Sequence, residues 1–89
     1  MSTSDLIEKT GFSFLDVVSS SRKQQIVTVR HACMLFLRRK GMTHEAIGKE
    51  LCRNHSSVCH GVKKAYERID IKDKDTLFYI KMFKETDHN

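Results

Sequence analysis

The sequence predicts an all-α domain of about five or six short helices that includes a helix-turn-helix. Three observations predict this class: proline is absent, apolar residues recur at three- and four-residue spacing, and Ser or Thr precedes several of these segments while Gly follows two. The 89 residues form a single domain, with a core over residues 4–69 and a C-terminal helix over 74–85. A chain of this length has room for one economical core.

The first two predicted helices are short. Ser4 is expected to cap the first one, and Gly11 ends it within two turns. Ser13 is expected to cap the second, whose apolar body occupies residues 14–18. The N-terminal part of the chain is therefore predicted to form a helical pair ahead of the main core.

A serine-rich break separates this pair from a long helix. The serines at 19–21 interrupt the helical pattern, and the last of them is placed to cap the long helix. Arg22 and Lys23 lie in this loop, where a basic arm can reach a minor groove or a phosphate. Apolar residues at helical spacing then run from 24 to 40, ending at Gly41, and predict the central helix.

The next two segments predict the helix-turn-helix. A helix over 43–52 is followed by a connection at 52–54 and a second helix over 55–69. Gly48 lies inside the first of these helices, where glycine costs about 1 kcal/mol relative to alanine. Its presence indicates that another backbone passes close by. The last helix, over 74–85, is predicted to pack over the core.

The charge distribution indicates a polyanion partner. The net charge is +5, but residues 21–64 carry ten Lys or Arg against Glu45 and Glu50, which is +8, and the rest carries six basic and nine acidic residues, which is −3. A basic centre with near-neutral ends is typical of nucleic-acid binding.

The cysteines and the hydropathy pattern point to a cytoplasmic, nucleoid-associated protein. The sequence has three cysteines, at positions 33, 52 and 59. Their odd number and the absence of a Cys-x-x-Cys pair argue against a disulfide framework. The sequence starts with no signal-peptide pattern and has no apolar run approaching the roughly 20 residues of a membrane span. We therefore expect no membrane association.

Polar residues cluster where the second helix of the predicted helix-turn-helix begins, at Arg53, Asn54, His55, Ser56 and Ser57. Their side chains suit base edges and phosphates. A helix-turn-helix presents this end of its second helix to the major groove of DNA. The sequence therefore predicts specific binding of double-stranded DNA, through this helix in the major groove and the basic loop in the minor groove.

Four motifs together resemble a known family. They are Ser-Arg-Lys at 21–23, Arg30, Ile-Gly at 47–48, and Arg-Asn-His-Ser-Ser-Val at 53–58. In order and spacing they resemble the C-terminal DNA-binding domain of the bacterial replication initiator DnaA, and the resemblance covers residues 4–69. It implies a Trp-repressor-like helical fold, an A·T-rich DnaA box as the binding site, and a role in replication initiation or transcription regulation.

The resemblance also implies roles for individual residues. Arg22 is similar to an arginine that enters the minor groove, and Asn54, His55 and Ser56 match positions that contact bases in the major groove. Residues expected near phosphates, by position or by charge, are Lys23, Arg30, His31, Arg53, Ser57, Lys63 and Lys64.

Two departures from the family matter. Asn54 stands where the family has Asp, and Asn, which both donates and accepts, favours adenine rather than the amino group of cytosine. The ATPase domain that precedes this module in the family is absent from these 89 residues. We therefore expect a module that binds no nucleotide or cofactor. The sequence shows no heptad seam or obvious dimer helix, so we also expect a monomer.

A metal site is the first alternative. Cys52, His55, Cys59 and His60 have ligand chemistry, but their spacing matches no common zinc finger. Metal binding by His55 would also sacrifice its contact in the groove. We expect no metal here, and Cys52 and Cys59 to act as small apolar groups.

Two further classes of protein are less compatible with the sequence. No combination of nucleophile and base, and no paired carboxylates, indicates an enzyme. A protein-interaction module with weak DNA binding is the stronger alternative, because Phe78, Tyr79 and Met82 lie near one another on the last helix. Steep salt dependence would separate DNA binding from an apolar protein contact.

Overall fold

The computed structural model describes residues 2–87, and every regular element in that range is helical, as predicted. The helices are α1 (Thr3–Glu8), α2 (Phe14–Val18), α3 (Gln24–Arg39), α4 (His44–Leu51), α5 (His55–Asp70) and α6 (Lys74–Thr86). Across residues 2–87 no helix has the length and apolar character needed to cross a membrane.

Helix α3 lies at the centre of the fold and packs against α2, α4, α5 and α6. Val29, Cys33 and Leu35 are fully buried on it. Phe36 meets Phe83 of α6 with ring centroids 5.7 Å apart. The predicted central helix is therefore confirmed, and its burial fixes the positions of the surrounding short helices.

Two predicted caps are wrong. Ser2, rather than Ser4, begins α1: its hydroxyl accepts from the Asp5 amide at 3.2 Å, and the Asp5 carboxylate accepts from the Ser2 amide at 3.4 Å. This reciprocal pair requires an acidic residue three positions after the cap, which Ser2 has. Ser21 does not cap α3 either, because the helix starts one residue after Lys23 and the Ser21 hydroxyl accepts from the Lys23 amide.

The buried face of α6 differs from the one expected. Thr76, Tyr79, Ile80 and Phe83 are buried, whereas Phe78 is 58% exposed. Burial of Tyr79 contradicts its predicted place on an exposed docking surface. The helix ends at Thr86, one residue later than predicted. Its buried residues follow Thr76 at intervals of three, four and seven positions, which places them on one face of the helix.

Candidate nucleic-acid interface

The turn between α4 and α5 is tight and depends on Gly48. Cys52 adopts the left-handed conformation with φ 57°, and the Arg53 amide donates to the Gly48 carbonyl at 2.9 Å. A Cβ added to Gly48 would overlap the Arg53 carbonyl oxygen. The expected close approach of a second backbone is confirmed, and that backbone belongs to the turn itself.

Asn54 is the N-cap of α5. Its backbone is extended, and its side-chain Oδ1 accepts from the Ser57 amide at 2.8 Å. An N-cap oxygen offsets one of the unpaired amides of the first helical turn. The predicted two-point contact with adenine needs both Oδ1 and the amide nitrogen, and the cap already occupies one of the two lone pairs of Oδ1. Aspartate can form the same cap, which explains how either residue fits this position.

The first turns of α5 present a polar surface. Asn54, His55 and Ser56 are exposed, and Ser57 is half-buried. His60 lies one turn beyond Ser56 on the same face and is also exposed. His60 was not among the predicted DNA contacts. Its four-residue spacing from Ser56 could have indicated that the two side chains share a helix face.

Arg30 is buried and holds the loop between α2 and α3. Only 8% of the residue is exposed. Its Nε donates to the Val17 carbonyl at 2.8 Å, and its Nη2 donates to the carbonyls of Ser19 and Ser21, both at 3.0 Å. Burial and the charge of Arg53 lower the pKa of Arg30. We therefore revise its predicted role from a phosphate contact to a residue that positions the loop.

Arg53, in the turn between α4 and α5, also donates hydrogen bonds to the loop between α2 and α3. Its Nη1 donates to the Val18 carbonyl at 2.8 Å, and its Nη2 donates to the Ser19 carbonyl. These bonds give Arg53 a part in positioning the loop, and its phosphate contact stays a prediction because the residue is only half-buried. Two guanidiniums thus join the loop to α3 and to the start of α5, and the exposed Arg22 and Lys23 follow directly after the anchored segment.

His31 is half-buried beside this junction and is neutral near pH 7. Its Nδ1 accepts from Arg68 Nη1 at 2.8 Å. Burial, and then the positive charges of Arg68 and Arg30, lower the pKa of His31 to about 4. The ring can therefore offer an Nε2–H donor to a phosphate, as a neutral group rather than as a positive charge.

This low pKa makes stability depend on pH. The unfolded chain binds a proton at His31 near pH 6.5, whereas the folded chain does so only near pH 4. The free energy of unfolding is therefore expected to fall as the pH drops from about 7 to 4, by about 1–2 kcal/mol after allowing for solvent screening. Urea unfolding across this range would measure it.

The control for this prediction separates His31 from its neighbour. His31→Gln should lose this part of the pH dependence, whereas His60→Gln, which keeps the pairing of Arg68 with His31, should retain it. An unchanged slope in His31→Gln would contradict the assignment.

The lysines predicted near phosphates remain accessible. Lys23 and Lys63 are exposed, and Lys64 is half-buried. Lys64 Nζ lies 3.6 Å from Glu67 Oε1, both at the surface. Such surface pairs contribute little, so this one does not prevent a phosphate contact.

Several of the predicted DNA-binding side chains line a shallow groove between α3 and the start of α5. It is lined by Arg30, His31, Met34, Arg53, Asn54, Ser56, Ser57 and His60. The groove is basic, rich in hydrogen-bond donors and open to solvent. Such a surface can receive a polyanionic backbone.

The four residues considered as zinc ligands do not all converge. Among the described residues, the ligand atoms of His55 and Cys59 lie close to those of His44, but Cys52 and His60 are not part of that cluster. Cys52 is exposed at the turn, and His60 packs edge-on against His31, with ring centroids 6.3 Å apart. Cys33 is buried in the core, and burial raises the pKa of its thiol to about 12.

Comparisons with known proteins agree with this geometry. Residues 6–65 match the family model described as the bacterial dnaA protein helix-turn-helix. The chain is 41% identical over 58 residues to the chromosomal replication initiator protein DnaA of Mycoplasma pneumoniae, a match covering 64% of this chain and 13% of that protein. It is 37% identical over 67 residues to DnaA of Leptospira biflexa, covering 73% of this chain and 15% of that protein. No solved structure matches.

Proposed function

We propose that this chain binds double-stranded DNA sequence-specifically in the initiation or control of replication. It belongs to the family of bacterial DnaA helix-turn-helix domains, whose family model matches residues 6–65. Such a domain is non-catalytic, as predicted. The matched segment spans 13% to 15% of the DnaA relatives, so the activity of those whole proteins is not carried over.

One observation supports the proposal most strongly: the exposed start of α5 lies beside a basic loop that two arginines hold in place. Arg30 and Arg53 share the Ser19 carbonyl, which fixes the loop relative to the first turn of α5. This fixed relation suits a helix in the major groove and an arm in the adjacent minor groove. A loop free to move would lose entropy each time it bound.

In the proposed complex, base contacts and phosphate contacts fall to different side chains. Asn54, His55 and Ser56 read base edges in the major groove, and Arg22 enters the minor groove, where a narrow A·T-rich groove attracts arginine. The proposed phosphate contacts are Lys23, His31, Ser57, Lys63 and Lys64. The half-buried hydroxyl of Ser57 lies at a helix N-terminus, which favours a phosphate oxygen.

Asn54 gives the site a distinct preference. Its oxygen already accepts from the Ser57 amide, so the amide nitrogen is the group with the larger remaining capacity for a DNA contact. A donor pairs with acceptors on the base edge, such as the O6 and N7 of guanine or the O4 of thymine. We therefore propose that the base facing Asn54 differs from the cytosine that an aspartate would select.

His55→Ala and Lys63→Ala should weaken binding in different ways. His55→Ala is expected to cost about 1–3 kcal/mol on the preferred site and much less on random duplexes, because a base contact carries sequence information. Lys63→Ala should weaken binding to all duplexes alike and lower the salt slope by about 1. Fluorescence anisotropy over a range of salt concentrations measures both.

A matched lysine provides the control. Lys81→Ala removes an exposed lysine from α6, outside the proposed interface, and should leave DNA affinity unchanged. Equal losses on every sequence for His55→Ala would show that His55 touches only the DNA backbone.

A second candidate function rests on α6. Phe78 and Leu77 are 58% and 40% exposed there, which favours a docking surface for another protein. This contact is apolar, so its affinity would change little with salt, whereas DNA binding would weaken steeply. The same anisotropy series therefore separates the two functions.

A further inference from the structure

Three side chains with metal-ligand chemistry meet on the helix-turn-helix. Cys59 Sγ lies 3.2 Å from His44 Nδ1 and 4.0 Å from His55 Nε2. The three ligand atoms all lie within 4.8 Å of one another. We propose that His44, His55 and Cys59 form a site for a zinc-like transition-metal ion, and that metal at this site competes with DNA for His55.

The distances suit a small tetrahedral ion. Zinc binds thiolate at about 2.3 Å and imidazole nitrogen at about 2.0–2.1 Å, which places neighbouring ligand atoms roughly 3.3–3.6 Å apart. The contact between Cys59 and His44 is already close to this value. His55 is exposed, so its ring can close the remaining gap by rotating its side chain.

The backbone sets this arrangement in advance. His55 and Cys59 are four residues apart on α5 and therefore share one face of that helix. His44 is the first residue of α4, immediately after the N-cap Thr43, whose hydroxyl accepts from the Ala46 amide at 3.1 Å. The rings of His44 and His55 are edge-to-face, with centroids 5.4 Å apart. All three ligands thus come from two packed helices rather than from a loop.

The ligand set selects the class of ion. Thiolate and imidazole favour Zn²⁺, Co²⁺, Ni²⁺ and copper over Mg²⁺ and Ca²⁺, which prefer oxygen ligands. On binding, the metal replaces the proton of the Cys59 thiol, which passes to solvent, and both imidazoles bind in their neutral form.

The site leaves one coordination position open. His44 and Cys59 are half-buried and His55 is exposed, so the ion would reach solvent on one side. Arg38 and Glu45 line the same surface groove and carry opposite charges. Three protein ligands with an exchangeable fourth are typical of accessible metal sites, whereas structural zinc sites are closed by four.

Competition with DNA follows from the dual use of His55, and this step rests on the proposed function. An imidazole nitrogen bound to metal can no longer contact a base, and rotation toward Cys59 moves the ring along the helix face. Because linkage is reciprocal, metal should weaken DNA binding by the same factor by which DNA weakens metal binding.

A cobalt titration of the reduced full chain tests the site itself. One equivalent of Co²⁺ should give a thiolate charge-transfer band in the near ultraviolet and visible bands of tetrahedral cobalt, and Zn²⁺ should displace them. Loss of groups that merely support a ligand costs about 10–100-fold in affinity, so Cys59→Ser and His44→Gln should each weaken binding at least about tenfold.

Cys52→Ser is the matched control. It removes an exposed thiol that lies outside the cluster and should leave the cobalt bands unchanged. Circular dichroism shows whether each variant retains its helices. Cobalt bands that survive in Cys59→Ser, bands that disappear in Cys52→Ser, or a wild-type chain without bands would overturn the metal site.

A DNA titration tests the competition. Zn²⁺ should lower the affinity of the wild-type chain for its preferred duplex, and it should have no effect on Cys59→Ser. A chain that binds cobalt but keeps the same DNA affinity with and without Zn²⁺ would overturn the competition. Absence of DNA binding in metal-free buffer would refute the proposed function instead, and the cobalt titration would still decide the metal site.

Discussion

Gly48→Ala is expected to destabilise the domain by about 2–3 kcal/mol. Inside a helix, alanine normally stabilises by about 1 kcal/mol relative to glycine. Here the added methyl group would overlap the Arg53 carbonyl, which belongs to the rigid backbone of the turn, and the overlap outweighs the gain in helix propensity. Urea unfolding followed by circular dichroism measures the change.

Two variants serve as controls for this prediction. Lys49→Ala changes an exposed neighbour on the same helix and should alter stability by only a few tenths of a kcal/mol. Gly61→Ala introduces a methyl group that meets the side chains of Met34 and His31 rather than backbone, so its cost should be smaller than at Gly48. A Gly48→Ala protein as stable as the wild type would contradict the close approach in the turn.

Arg30→Met should destabilise the fold by about 2–4 kcal/mol and weaken DNA binding. Methionine keeps the apolar stem but removes donors from the carbonyls of Val17, Ser19 and Ser21. An unsatisfied buried group costs about 1–3 kcal/mol, and part of this is recovered where the loop reaches water. Without these bonds the loop that carries Arg22 is more mobile, so DNA binding must order it at a cost in conformational entropy.

Arg38→Met is the matched comparison. Arg38 lies on the same helix but is exposed, and its Nη1 donates to the Met42 carbonyl at 3.2 Å. Its loss should cost less than about 1 kcal/mol. Equal stability of Arg30→Met and Arg38→Met in urea, or an unchanged DNA affinity of a folded Arg30→Met protein, would refute the positioning role of Arg30.

The sequence predicted several features that depend on local signals, although it assigned the caps of α1 and α3 to the wrong serines. The helix cap at Ser13 was predicted because a capping side chain bonds an amide only three residues away. Gly41 was identified as the end of α3 for a similar reason, and it adopts φ 101°. These interactions are complete within one turn of the chain, so they can be read without the fold.

The features that depend on tertiary contacts were not predictable in the same way. Arg30 appeared as one more basic residue, and its burial became visible only when the α2–α3 loop was placed beside it. The low pKa of His31 depends first on its burial and then on Arg68, which is 37 residues away. His44 joins Cys59 across the packing of two helices, and no sequence spacing revealed that pair.

The central claim is that the start of α5 and the anchored basic loop read a DNA sequence. Selection of bound duplexes from a random pool, followed by sequencing, tests it most directly. The account predicts enrichment of one A·T-rich site, with an acceptor-bearing base at the position facing Asn54 and loss of the preference in His55→Ala. Recovery of sequences no different from the starting pool would contradict it.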